Sequence, residues 1–134
     1  MSNETKSGLP HDRFIRKVFS KKKNLVDFLR NALPKKYYDK LDVDSVQLSK
    51  ESFIGNKYIS NQLGEFYSDM LVNVKLDGKD AKCGILIEHK SAYYKFTLAQ
   101  MLKYLSSIWN EEILNRASNL TPIIPILLYH GQQH

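Results

Sequence analysis

Apolar and polar positions change period several times along this chain, and each change marks an element. From Asp12 the pattern is helical. Phe14, Ile15, Val18 and Phe19 recur at helical spacing, with Arg13, Arg16 and Lys17 between them. SKKKN at 20–24 interrupts the pattern. Asn24 then reads as the cap of a second helix, with Asp27 in its favourable first turn. Leu25, Phe28, Leu29, Ala32 and Leu33 form its apolar face and Pro34 ends it. KKYYDKL offers one more turn. DSVQLSKESF, residues 44–53, alternates loosely as a strand does, and IGNKYISNQLG is a loop with glycine near both ends. FYSDMLVNVKL, 66–76, alternates clearly. Met70, Val72, Val74 and Leu76 share one face; Asp69, Leu71 and Asn73 share the other. DGKD at 77–80 signals a turn, and KCGILIEHK, 82–90, follows as a strand. The two strands form an antiparallel hairpin. A four-residue loop pairs Leu76 with Ala81 and sets Asp69 opposite Glu88.

Residues 93–116 predict a long helix with the apolar stripe Leu98, Met101, Leu102, Leu105, Ile108, Trp109 and Ile113. NLTP is a loop. IIPILLY, 123–129, is the near-continuous apolar run expected of a strand covered on both faces. Strand, helix, strand implies a right-handed βαβ crossover. The order α, β, β, β, α, β predicts an α/β fold, a mixed central sheet flanked by helices. Residues 1–10 read as a flexible N-terminal tail and 11–134 as one domain. The ending YHGQQH, just past a buried-looking strand, reads as that of a short or truncated chain.

Composition narrows the function classes. The 134 residues suffice for one domain with its own core. The single cysteine, Cys83, excludes a disulfide framework or a thiolate zinc site within one chain and fits a reducing, cytoplasmic compartment. The polar start MSNETKSG lacks an apolar signal core, and the longest apolar run is too short to span a bilayer. No membrane association is expected. The net charge is +6, and twelve of the twenty Lys and Arg residues lie in the first fifty positions. Such a surplus favours polyanions such as nucleic acid, or an anionic membrane, against the plainer reading of a soluble surface that happens to be basic. Lys21, Lys22 and Lys23 read equally well as phosphate contacts or as a solvated loop. Lys103 on the long helix is a further candidate DNA contact.

The candidate chemistry lies where GILIEHKSA ends in three polar residues. Alternation puts Glu88 and Lys90 on one face, with His89 on the other. Two carboxylates facing each other across a ladder repel unless something positive sits between them. Mg²⁺ (or Mn²⁺) fits, because it takes oxygen ligands and usually only one or two protein carboxylates. Asp69, Glu88 and the backbone carbonyl of His89 are the candidate ligands, and Lys90 is placed to hold an attacking water. Glu-x-Lys is weak by itself, since composition predicts roughly 0.7 matches by chance. The competing reading is a solvated Glu88–Lys90 ion pair. His11, His89, His130 and His134 have no metal-ligand spacing.

In order and spacing, HDRFIRKVFS, NLVDFLRNALP, YSDMLVNVKL, GILIEHKSA, LKYLSSIW and PIIPILLYHG resemble the PD-(D/E)XK nuclease superfamily. Within it they resemble the recombination-promoting nuclease family, whose members often carry a transposase label. The resemblance implies a restriction-endonuclease-like αβββαβ core and a Mg²⁺-dependent DNA endonuclease linked to recombination. It implies Asp69, Glu88 and Lys90 as catalytic residues, with Gln100 reaching the site from the following helix. Asp12 matches the family's His-Asp start, though its plainer reading is a helix cap. Ser68 stands where the superfamily name has proline, and Lys90 where the family often has glutamine. DNA is the implied partner, with a homodimer or a longer homologue for cleavage of both strands. In a bacterium the implied location is the nucleoid. The rival reading is a short, inactive module that binds DNA or a longer homologue; a third is an α/β interaction protein without a DNA role.

Overall fold

A computed structural model of the chain describes residues 14, 17–49, 67–88 and 97–129. After a helical segment at 17–19, helix α1 spans Lys22–Ala32 and a single turn, α2, spans Lys35–Tyr38. Asn24 does not cap α1. It lies inside the first turn, and its side-chain amide donates to the Val18 carbonyl at 2.8 Å, tying the helix back to the preceding segment. The lysine run thus largely belongs to the helix, and the break shrinks to Ser20 and Lys21. Pro34 ends α1 as expected and begins α2, where its missing N–H is no loss.

Strands β1 (Gln47–Leu48), β2 (Tyr67–Leu76), β3 (Lys79–Glu88) and β4 (Ile123–Tyr129) form one sheet in the order β1-β2-β3-β4. The first two pairings are antiparallel and β3–β4 is parallel. Helix α3, Thr97–Leu114, makes the crossover from β3 to β4. The first strand is shorter than the alternation at 44–53 suggests: Val43–Ser45 is a 3₁₀ turn, and Glu51–Phe53 lie outside the described residues. The observed order is that of a mixed α/β sheet with helices on both faces, compatible with a restriction-endonuclease-like core.

The β2–β3 register differs from the expected one. The loop has two residues, not four. Asp77 and Gly78 adopt φ of 52° and 78°, the left-handed pair of a tight hairpin turn for which Asp-Gly is suited. Leu76 therefore pairs with Lys79, Asp69 with Leu86, and Glu88 with Tyr67. Each partner slips by two residues. A two-residue slip preserves faces, so the expected alternation survives the wrong loop length.

Two apolar layers result. Met70, Val72, Val74, Ala81, Cys83, Ile85 and Ile87 pack against Phe19, Leu25, Leu29 and Leu33 on the α1 side. Leu71 and Leu86 pack against Met101, Tyr104, Leu105 and Ile108 of α3 on the other. The stripe expected on α3 divides. Met101, Leu105 and Ile108 are buried, and so is Tyr104, but Leu98, Leu102 and Ile113 are exposed. The reason is sheet width. Among the described residues β4 is the edge strand, and the flank of α3 beyond it meets no further described strand. For the same reason β4 is only half-buried rather than covered on both faces.

Gly84 lets α3 approach. A Cβ there would stand 3.3 Å from both Tyr104 Cε2 and Ile123 Cγ2. The far end of the crossover is pinned by polar contacts. Lys82 bridges Glu112 at 2.8 Å, Glu112 accepts from the Thr121 backbone N–H at 2.9 Å, and the Trp109 indole donates to the Thr121 carbonyl at 2.8 Å.

Candidate active site

Among the described residues, the buried polar or charged side chains are Asp69, Glu88 and Thr97. All three belong to one neighbourhood. Asp69 pairs with Leu86, and Glu88 lies two residues further along β3, so both carboxylates share the face that carries α3. In the corrected register they are diagonal neighbours, with Cα atoms roughly 7–8 Å apart rather than directly opposed. That spacing eases their repulsion and leaves room for a cation between the two side chains. Glu88 is 1% exposed and Asp69 5%. Burying carboxylates this deeply is costly without compensation.

Glu88 has partners on two sides. Thr97, the first residue of α3, points its hydroxyl at Glu88 Oε1 from 3.5 Å. Tyr129 of β4 lies in register with Glu88 across the parallel ladder, which sets its phenol beside that carboxylate, where it acts to lower the carboxyl. Burial pushes the Glu88 carboxyl above its usual range, while the two hydroxyls pull the other way. Tyr104 lies beneath, with its hydroxyl donating to the Met70 carbonyl at 3.1 Å. Gln100 is half-buried and one turn ahead of Tyr104, on the same flank of α3. Since Thr97 meets Glu88 and Tyr104 meets Met70, Gln100 falls between those two levels along α3.

The other candidates fall elsewhere. His89 and Lys90 follow β3 directly but lie outside the described residues, as do Asp12, His11, His130 and His134. Lys21, Lys22 and Lys23 are exposed on the α1 layer, on the opposite face of the sheet from Asp69 and Glu88. The Lys22 ammonium donates to the Asp44 carbonyl at 2.7 Å, which joins α1 to the turn before β1. Lys103 is exposed on α3. A groove of about 600 Å³ opens on the α1 layer, lined by Phe19, Lys22, Leu25, Val46, Asn73 and Lys75, away from the buried acids. Cys83 is buried with its thiol pushed up to about 12, so it presents no thiolate nucleophile.

Neither Thr97 nor Tyr129 stands out in the sequence. Each sits inside a segment whose apolar pattern explains it without chemistry. Only the pairing of β4 with β3 and the docking of α3 bring their hydroxyls to Glu88.

The donor chemistry fits a hard cation. Among the described residues no three His, Cys, Asp or Glu side chains cluster as a metal cage. Two carboxylates fit Mg²⁺, which keeps several waters and fills its shell from substrate phosphates. Likewise, no helix among the described residues is long and apolar enough to cross a membrane.

A four-stranded mixed sheet, a tight hairpin with two buried acids on one face and a crossover helix over them make a mixed α/β domain compatible with a restriction-endonuclease-like core. Comparison with known proteins gives the particular family. A family model described as "Putative transposase, YhgA-like" matches residues 9–134, and the chain belongs to that family. It is 28% identical to recombination-promoting nuclease RpnA of Escherichia coli K12 over 96% of this chain. It is 29% identical to RpnD of Escherichia coli O157:H7 over 99% of this chain. A third relative, 24% identical over 96% of this chain, is the inactive recombination-promoting nuclease-like protein RpnE of Escherichia coli K12. The chain spans 42%, 49% and 42% of these relatives, about half their length or less. No solved structure gives a significant match.

Proposed function

We propose that this protein is a divalent-metal-dependent endonuclease that hydrolyses DNA phosphodiesters, in the service of recombination. The observation that carries this reading is the gathering of the polar side chains buried among the described residues, Asp69 and Glu88 on one face of the hairpin and Thr97 of α3 beside Glu88. Two like charges held close on one face of a ladder repel, and a divalent cation between them would offset that repulsion. The family and its nuclease-named members support the same reading.

Asp69 and Glu88 would hold Mg²⁺ or Mn²⁺, with the His89 carbonyl as a third oxygen. When bound, the cation supplies Lewis-acid stabilisation of the charge that grows on the phosphoryl oxygens. Lys90 orients the attacking water through its ammonium, and Gln100 contacts the same water or phosphate from α3. The water oxygen forms a bond to phosphorus in line with the 3′-oxygen. The bond to that oxygen breaks, the attacking water gives up a proton to solvent and the departing oxygen takes one from solvent, leaving a 5′-phosphate and a 3′-hydroxyl. Exposed Lys21, Lys23 and Lys103 contribute phosphate contacts, and a dimer supplies the second site for the second strand.

A second reading is favoured by one finding, the similarity to a relative named as inactive. In that reading the chain binds DNA or a longer homologue and cuts neither strand. Supercoiled-plasmid cleavage separates the two. Wild type with Mg²⁺ should nick or linearise the plasmid, while Glu88→Ala and wild type with EDTA should leave it intact. A wild type that retards DNA in a gel yet never nicks it establishes the binding module instead.

A further inference from the structure

We propose that Thr97 and Tyr129 are positioning residues that hold the Glu88 carboxylate in the orientation a divalent cation requires. This inference rests on the nuclease reading of the same site. Glu88 has three side-chain torsions and ends a strand, so backbone geometry alone does not fix its carboxylate. Two neighbouring elements supply what the strand lacks. Helix α3 brings the Thr97 hydroxyl to Oε1, and β4 brings the Tyr129 hydroxyl from the adjacent register position.

Thr97 is not explained by packing alone. It is 5% exposed on the core-facing side of α3, where the other buried residues include Met101, Tyr104 and Ile108. Valine has the same shape and would fill the space. What threonine adds is a hydroxyl, aimed at a buried carboxylate. The 3.5 Å separation is long for an O–H···O contact, so this donor guides the carboxylate more than it grips it. Tyr129 is 44% exposed and Glu88 1%, so the register pairs a half-exposed phenol with a buried carboxylate at the β4 edge. An ionised carboxylate has about four acceptor sites. Two hydroxyl donors leave sites for a cation while restricting which way they face. Hydrogen-bond partners behind a metal ligand typically contribute about 10–100-fold in metal affinity or activity.

The test uses Thr97→Val, Thr97→Ser, Tyr129→Phe and Glu88→Ala in the full chain. Mn²⁺ binding is measured by calorimetry without DNA, and plasmid cleavage is titrated with Mg²⁺. Thr97→Val and Tyr129→Phe should each weaken Mn²⁺ binding about 10-fold and raise the Mg²⁺ half-saturation point to match. The rate at saturating Mg²⁺ should change less than that midpoint. Thr97→Ser should restore wild-type values, which a purely structural role for the methyl group would not produce. Thermal melts verify folding, and Tyr129→Phe decides the matter if Thr97→Val unfolds, because it removes one oxygen from a half-exposed ring. Folded Thr97→Val and Tyr129→Phe proteins that keep the wild-type Mn²⁺ affinity, while Glu88→Ala abolishes it, overturn the positioning role alone. Wild type that binds no Mn²⁺ and nicks no plasmid overturns the nuclease reading, and this inference with it.

Discussion

Gly84 and Glu88 lie four residues apart on the same face of β3, and each is explained by what α3 presses against it. At Gly84 the helix comes so close that no side chain fits without displacement. Tyr104 cannot retreat readily, being 1% exposed and tied by its hydroxyl to Met70. Gly84→Ala should therefore cost about 1 kcal/mol net, overpacking outweighing the entropy that alanine removes from the unfolded chain. A urea melt reads this as a lower midpoint at unchanged slope; a midpoint at or above wild type would mean that Ile123 and Tyr104 yield freely. At Glu88 the same helix delivers a hydroxyl in place of a clash. Asp69 and Glu88 are visible in the sequence because an acid in an apolar strand breaks its pattern. Thr97 and Tyr129 break no pattern.

Among the elements, the crossover is held at its distal end by a half-buried polar cluster. Burial acts to raise the Glu112 carboxyl, but the Lys82 ammonium and the Thr121 backbone N–H together hold it below its usual range. A carboxylate depressed on folding adds stability above its unfolded value, and that stability disappears as pH falls through the depressed folded one. Glu112→Gln should thus be about 1–3 kcal/mol less stable than wild type at pH 7. The gap should close below about pH 4, near the unfolded glutamate value. Thermal or urea melts at pH 7 and pH 3 check it, and an equal gap at both would remove the ion pair as its cause. In the hairpin, alternation assigns the two faces of β2 correctly, yet the assumed loop length misses the register with β3 by two residues. Face depends on the parity of the sequence, whereas register depends on the φ angles of Asp77 and Gly78.

For the whole molecule, the proposed function makes the net charge of +6 and the two-layer arrangement the features that would set how a duplex is met. The basic residues of α1 and the carboxylate pair occupy opposite faces of the sheet, so a duplex that touches both must pass around a sheet edge. Duplex binding should be driven by phosphate contacts, with affinity falling steeply as NaCl rises from about 50 to 200 mM. If Lys21 and Lys23 touch phosphate, Lys21→Ala and Lys23→Ala should each reduce the slope of log affinity against log salt by about 1, uniformly across DNA sequences. Fluorescence anisotropy with labelled duplexes measures this; weak binding that ignores salt would point to an interaction protein without a DNA role.

Element order, the inward faces of the strands and the two acids are all legible in the chain before it folds. They follow from local periodicity, from turn chemistry and from the cost of an acid in an apolar run. Folding adds the register that makes Asp69 and Glu88 diagonal neighbours and the division of α3 into a buried and an exposed flank. It also adds the arrival of Thr97 and Tyr129 beside Glu88. Those outcomes depend on contacts between segments distant along the chain, which no periodicity records: Thr97 follows Glu88 by 9 positions, and Tyr129 by 41. Burial of the carboxylates is therefore a property of the assembled layers, and so is whatever chemistry they perform.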